Sequence, residues 1–187
     1  MEVRLEGNRI ILRPLEERDA PTLYENVKEY EMARWLINLP HPYPKDGALE
    51  FIKKSRDLME KGESYELAIE SKETSEVIGV MSFCKVNQKN RSAEVGYWVA
   101  KEHRGEGIAT EAGLALLIFG FEELNLERIY SKCFSENIPS QRIMEKIGMQ
   151  YEGTFRHEIL KDDRFIDTKY YSILKGDWLK KIGVNSK

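Results

Sequence analysis

The amino-acid sequence predicts an α/β fold with one mixed, mostly antiparallel sheet and flanking helices. Three observations carry this expectation. Tyr65–Ser71, Glu76–Val86 and Ala93–Val99 alternate or run apolar, with polar Asn87–Asn90 turning between the last two, which reads as an antiparallel meander. A strand ending near Val99, an apolar helix from near Ile108 and a strand at Arg128–Phe134 form a strand–helix–strand unit, which places two parallel neighbours in the sheet. Two more strand-like runs, Met149–Glu158 and Phe165–Leu174, close the order.

The elements follow from local signals. Arg9-Ile10-Ile11-Leu12-Arg13-Pro14 reads as the first strand. A helix near Ala20–Tyr30 follows, with Asp19 as its N-cap and Pro21 at the first helical position, and a second runs from about Asp46 to Lys61. Leu39-Pro40-His41-Pro42-Tyr43-Pro44 is the only proline-rich piece and reads as a loop. In the central helix Ile108, Ala112, Ala115 and Phe119 make one apolar stripe and Leu114, Leu117, Ile118 and Phe121 another, which predicts a helix buried on nearly all sides. Ser140–Ile147 is a short helix stopped by Gly148.

Composition narrows the class. With 187 residues, 41% hydrophobic and 33% charged, the chain suits a single domain over 1–187. A formal charge of −3 without a long basic run argues against general nucleic-acid binding. The start, Met1-Glu2-Val3-Arg4-Leu5-Glu6, lacks a signal-peptide core, and Ala112–Phe121 is about half the length that spans a bilayer. No membrane partner and a cytoplasmic location are expected. Cys84 and Cys133 have no close Cys or His partner, so both are expected to be buried reduced thiols and no metal site is predicted.

Arg104-Gly105-Glu106-Gly107-Ile108-Ala109-Thr110 lies between a strand and a helix start. Glycines let backbone N–H groups approach a phosphate, and the helix start adds unpaired donors and partial positive charge. A glycine pair alone is more often a plain turn, and the segment lacks the Lys-Ser/Thr ending of a nucleotide-triphosphate loop.

Arg104, Gly107 and Ala109 match the phosphate motif of the GNAT superfamily of N-acetyltransferases: Arg or Gln, two residues, Gly, one residue, Gly or Ala. The chain resembles that superfamily, and its RimJ/RimL branch in particular, through Glu94-Val95-Gly96-Tyr97-Trp98-Val99, Ala109-Thr110-Glu111-Ala112, Asn137-Ile138-Pro139-Ser140 and Glu145-Lys146-Ile147-Gly148-Met149. Glu152-Gly153, Arg156, Asp167 and Tyr171–Trp178 continue the match, which runs from Arg9 to Trp178.

The resemblance implies a GNAT fold with a splayed parallel strand pair and acetyl-coenzyme A (acetyl-CoA) as cosubstrate. Backbone N–H groups from Arg104 to Thr110 would hold the pyrophosphate. Tyr97, Trp98 and Val99 would pair with the pantetheine arm, the N–H near Val99 polarising the thioester carbonyl; for the Tyr97 and Trp98 side chains, core packing is the alternative. Asn137 would hydrogen-bond the pantetheine, or be an ordinary helix cap. Ser140 would lie near the cofactor sulfur, or only start a helix. Many members place a tyrosine seven residues after that asparagine to protonate the thiolate; here the position is Met144, which has no proton to give and leaves Ser140 as the candidate.

Glu94 is the candidate proton relay, with a structural strand carboxylate as the alternative; Glu152 and Glu158 are weaker candidates. His41, His103 and His157 are scattered and receive no role. Trp35–Pro44 resembles the branch's variable acceptor wall, with Trp35 and Tyr43 as substrate contacts, or forms a hydrophobic plug. Three functions stay open: acetylation of a protein α-amino group, acetylation of a small amine such as a polyamine or an antibiotic-like compound, and a non-catalytic acyl-CoA-binding module. Either a monomer or a homodimer fits.

Overall fold

In the computed structural model the described residues are 3–183; Met1, Glu2 and the stretch 184–187 of the expected 1–187 domain lie outside them. The chain runs β1 (Leu5–Glu6), β2 (Ile10–Pro14), α1 (Ala20–Val27), α2 (Tyr30–Ala33), α3 (Gly47–Glu60), β3 (Tyr65–Ser71), β4 (Val77–Asn87) and β5 (Ser92–Val99). It continues with α4 (Ile108–Ile118), β6 (Arg128–Phe134), α5 (Ile138–Ile147), β7 (Gln150–Lys161), β8 (Arg164–Leu174) and α6 (Lys175–Lys181). The strands form one eight-stranded sheet in the order β1-β2-β3-β4-β5-β6-β8-β7, antiparallel except for the β5–β6 pair.

Strand alternation gives the sheet two apolar faces, and each is covered. Ala93, Val95 and Val99 of β5 pack with Ile108, Ala112 and Leu116 of α4 and Met144 and Ile147 of α5. On the other face Ala68 and Val80 pack with Leu23 of α1 and Ala48 and Ile52 of α3, and Trp98 lies against this second cluster. Among the described residues no helix is long and apolar enough to cross a membrane.

Several local expectations are corrected. The first helix ends at Val27, because Glu29 is extended (φ −78°, ψ 138°), and α2 starts afresh to bury Met32 and Ala33. Pro21 is the second helical residue. The Asp19 side chain does not cap α1; it accepts two hydrogen bonds from Arg13 at 2.8 and 2.9 Å and, closing a capping box on the preceding turn Glu17–Asp19, one from the Glu16 N–H at 2.8 Å. Helix α5 starts at Ile138: Asn137 Oδ1 accepts the Ser140 N–H at 3.2 Å, and Pro139 sits in the first turn, where its missing N–H costs nothing. Ser140 is therefore the third helical residue. Helix α4 is not buried all round, since Glu111, Leu114, Ala115 and Ile118 form its outward stripe, with Ile118 44% exposed.

Candidate active site

The sheet opens in its middle. β5 and β6 pair only from Ser92–Arg128 to Val95–Ser131; beyond that rung Gly96–Val99 keep partners on β4, and Lys132–Phe134 on β8. The Ser131 hydroxyl donates to the Val95 carbonyl at 2.8 Å, where the strands part. On the far side of β5 the Ala100 N–H donates to the Ile78 carbonyl of β4 at 2.8 Å. Peptide groups alternate along a strand, so those of Tyr97 and Val99 point into the gap. Arg104 Nε donates to the Val99 carbonyl at 3.1 Å and leaves the Val99 N–H facing the opening.

At the end of the gap the loop turns into α4. Gly105 and Gly107 have φ of 82° and 83°, left-handed values that side chains resist, and Gly107 occupies the N-cap position. Among the described residues the N–H groups of Gly105, Glu106 and Gly107 donate to no protein acceptor, and Ile108, Ala109 and Thr110 fill the first helical turn, whose N–H groups have no intrahelical partner. Such an arrangement can cradle an anion. Arg9 fastens it from the other end of the chain. Its N–H and Nε bond Glu111 at 2.7 and 3.0 Å, and Nη1 bonds the Glu106 carbonyl at 3.0 Å. Burial pushes the Glu111 carboxyl up, but the bonds and charge of Arg9 outweigh this and hold it below its ordinary value. No local sequence signal reveals this clasp, since it joins residues 102 positions apart.

Two hydroxyls meet beside the gap. Tyr97 OH lies 2.8 Å from Ser140 Oγ and donates to the Ser140 carbonyl at 3.1 Å, linking β5 to α5. Burial pushes the Tyr97 hydroxyl well above its ordinary pKa, so it stays protonated at neutral pH. No local sequence signal reveals this pairing, which joins residues 43 positions apart. Met144, where many relatives of the resembled family carry tyrosine, is fully buried. Asn137 uses its oxygen as a cap, and its amide nitrogen donates to no protein acceptor among the described residues.

The remaining candidates fall into place by their partners. Glu94 lies 3.4 Å from Lys85 Nζ and 3.5 Å from Tyr130 OH. Glu152 is held by Arg128 at 2.5 Å, which pulls its carboxyl down to about 2, and Glu158 is tied to Lys132, Tyr170 and Thr168, so neither carboxylate is free to accept a proton. Tyr43 packs against Tyr24 and Gly47 in the second core, which is the plug alternative, whereas Trp35 is half-buried with the Arg34 guanidinium 4.8 Å from its ring centre. Trp98 packs on that same core. Cys133 is buried as expected, but Cys84 is only half-buried. Burial pushes the Cys133 thiol up to about 11 and, with Glu66 and Glu94 nearby, the Cys84 thiol up to about 12. Neither is an activated nucleophile.

A sheet that splays beside a helix-borne anion cradle is the arrangement expected from the resemblance, and residues 9–150 match the acetyltransferase (GNAT) domain family. The chain belongs to the GNAT acetyltransferases. This GNAT enzyme is 34% identical over 170 residues to the uncharacterized N-acetyltransferase p20 of Bacillus licheniformis, covering 91% of this chain and 95% of that one. It is 32% identical over 97 residues to the ribosomal-protein-serine acetyltransferase of Escherichia coli, or 52% of this chain and 54% of the relative. The solved structure of RimL, a ribosomal L7/L12 α-N-protein acetyltransferase in complex with coenzyme A, superposes with a TM-score of 0.86 over 92% of this chain and 98% of that one. At 19% identity that likeness concerns the fold alone.

Proposed function

We propose that this GNAT enzyme acts as one domain over 1–187 in the cytoplasm and moves an acetyl group from acetyl-CoA to the α-amino group of a protein. The observation that carries the cosubstrate is the splayed gap leading to a loop with free N–H donors. The residues present fit acetyl-CoA: a phosphate needs converging donors, which Gly105–Thr110 supply, and an extended amide chain needs an exposed strand edge, which Tyr97 and Val99 supply. The E. coli relative's action on a ribosomal protein supports a protein acceptor.

Acetyl-CoA supplies an activated acyl group, and the protein's residues position and stabilise. The loop 104–110 anchors phosphate through its backbone. The Val99 N–H polarises the thioester oxygen, the Asn137 amide nitrogen donates to the pantetheine chain, and the Tyr97–Ser140 pair offers hydrogen bonds where the sulfur leaves. Glu94 relays the amine's proton through water, with Lys85 and Tyr130 holding its carboxylate. A neutral amine is the nucleophile, and an α-amino group with a pKa of about 8 is partly neutral at pH 7.

Gly107→Val should weaken acetyl-CoA binding, because a β-branched residue resists the φ of 83° and a side chain there obstructs close approach to the loop. Calorimetry checks this, and unchanged affinity in a folded variant would move the phosphate site elsewhere. Glu94→Gln should lower turnover mainly below about pH 8, where more of the amine is protonated, and recover as pH rises. An equal loss at every pH would make Glu94 structural.

One observation favours a smaller acceptor as a second reading. Lys161 Nζ donates to the Leu36 carbonyl at 2.9 Å and Tyr30 OH to Asp162 at 2.8 Å, so the β7–β8 hairpin reaches the segment between α1 and α3. Such a bridge suits a slender amine. Mass spectrometry after incubation with acetyl-CoA, Ser-initiated peptides and polyamines decides the class: acetylation of polyamines alone would overturn the protein reading.

A further inference from the structure

A second opening lies at the end of β5 opposite the glycine loop. It is a cleft of about 720 Å³, lined by Lys61 and Glu63 between α3 and β3, Lys85 of β4, Gln88 of the following turn, Ser92 of β5 and Tyr130 of β6. Its two lips are tied together. The Val86 N–H donates to the Glu63 carbonyl at 2.9 Å, and Gln88 Nε2 donates to the Gly62 carbonyl at 3.4 Å.

Two walls of the cleft reach the candidate site. Lys85 Nζ lies 3.4 Å and Tyr130 OH 3.5 Å from the Glu94 carboxylate. Glu94 pairs with Tyr130 one rung below Val95–Ser131, the last rung before the strands part. Ser92 opens β5, three residues below Val95. At about 3.3 Å per strand residue, the cleft floor begins roughly 10 Å from the parting point. The glycine loop follows the far end of the same strand, so a cofactor anchored there and a molecule lying in the cleft meet at Glu94 from opposite directions.

Charge is graded along this line. Glu94 stands at the gap end, and the cleft lining carries two lysines against one carboxylate, Glu63. Lys85 is 73% exposed and already faces Glu94. Lys61 makes no ion pair among the described residues. An ammonium arriving at Glu94 leaves the lysine end with surplus positive charge, which an anionic group farther along the same molecule offsets. A molecule that is cationic throughout, such as a polyamine, would instead press its far ammonium against Lys61 and Lys85, a like-charge contact that costs binding.

The geometry points to an acceptor subsite in this cleft for an amine that carries a carboxylate two or three residues from its reacting nitrogen, with Lys61 as the residue that sets the preference. The inference rests on the acetyltransferase reading above and names the acceptor class for it. The ammonium end lies at Glu94, the chain runs extended past Lys85 and Tyr130, and the carboxylate pairs with Lys61. An extended peptide advances at most about 3.6 Å per residue, so side chains at its second and third positions have the required reach.

The test uses C-terminally amidated, Ser-initiated peptides that differ only in bearing glutamate, glutamine or lysine at the second and third positions, with spermidine alongside. In wild type, kcat/KM should be roughly threefold to tenfold higher for the glutamate peptide than for the glutamine peptide, and lowest for the lysine peptide. The difference should reside in KM and shrink at high salt. Lys61→Glu should reverse the order of the glutamate and lysine peptides, and Lys61→Gln should flatten it. Both should leave acetyl-CoA affinity by calorimetry, and kcat at saturating glutamine peptide, unchanged. Lys61 is exposed, so these variants should fold. Equal kcat/KM for the three peptides in wild type, or the wild-type order retained in Lys61→Glu, would overturn the inference, as would spermidine outpacing every peptide. Acetyl-CoA binding without product from any of these acceptors would instead reject the acetyltransferase reading on which it rests.

Discussion

Arg13→Ala is expected to destabilise the fold by about 3–5 kcal/mol, the cost of leaving buried charge unpaired. Arg13 is 7% exposed and binds Asp19 through two nitrogens at 2.8 and 2.9 Å, Glu70 through Nε at 2.6 Å and the Pro14 carbonyl at 3.1 Å. It joins β2, the turn before α1 and β3. Truncation strands two carboxylates, so the loss should exceed that of any exposed pair such as Arg4–Glu6. Arg13→Met with Asp19→Asn and Glu70→Gln removes cation and anions together and should recover part of the loss. Urea denaturation measures each step; a cost below about 1 kcal/mol for Arg13→Ala would show that water already screens the cluster.

The same cluster fixes a pH dependence. Burial pushes the Asp19 carboxyl up, but hydrogen bonds from Arg13 and the Glu16 N–H, together with the Arg13 charge, hold its folded pKa below the ordinary value. A depressed folded pKa contributes stability that is fully present above the unfolded value of about 4 and is lost as pH falls through the lower folded value. Asp19→Asn should flatten the fall in stability below pH 4.

Ser140→Ala is expected to reduce turnover by roughly ten- to a thousandfold while acetyl-CoA still binds, as for loss of one transition-state donor or one general acid. The Tyr97 hydroxyl 2.8 Å from Ser140 Oγ makes the two a unit. Tyr97→Phe should therefore fall in the same range, and the double variant should lose less than the product of the single effects. Single-turnover measurements isolate the chemical step. Wild-type turnover in Ser140→Ala, with chemistry limiting, would leave the thiolate to solvent or backbone. Met144→Ala should affect stability more than chemistry, because Met144 is fully buried in the core of α5.

Strand periodicity and turn chemistry were the legible part of the fold. Tyr65–Ser71 and Arg128–Phe134 coincide with β3 and β6, and Asp46–Lys61 brackets α3 with its two caps. These elements have apolar patterns that survive tertiary packing. The two-residue β1, the four-residue α2 and α6 were not predicted, because elements that short carry too little pattern to outweigh loop alternatives. Asp19 misled because an acidic residue before Pro21 has the form of a cap, whereas a guanidinium six residues earlier claims both its oxygens.

Local sequence alone determined the glycine turn ahead of α4, since glycine freedom and a helix start are properties of consecutive residues. It also determined the strand order around the meander and, through resemblance, the chemistry of the class. Only the tertiary structure decided which side chains meet. Arg9 reaches Glu111, and Tyr97 reaches Ser140. Each pairing depends on which residues the sheet and helices bring within a few ångströms, and on which charges are already neutralised when they arrive. Periodicity says which face a residue occupies; it cannot say which partner waits there.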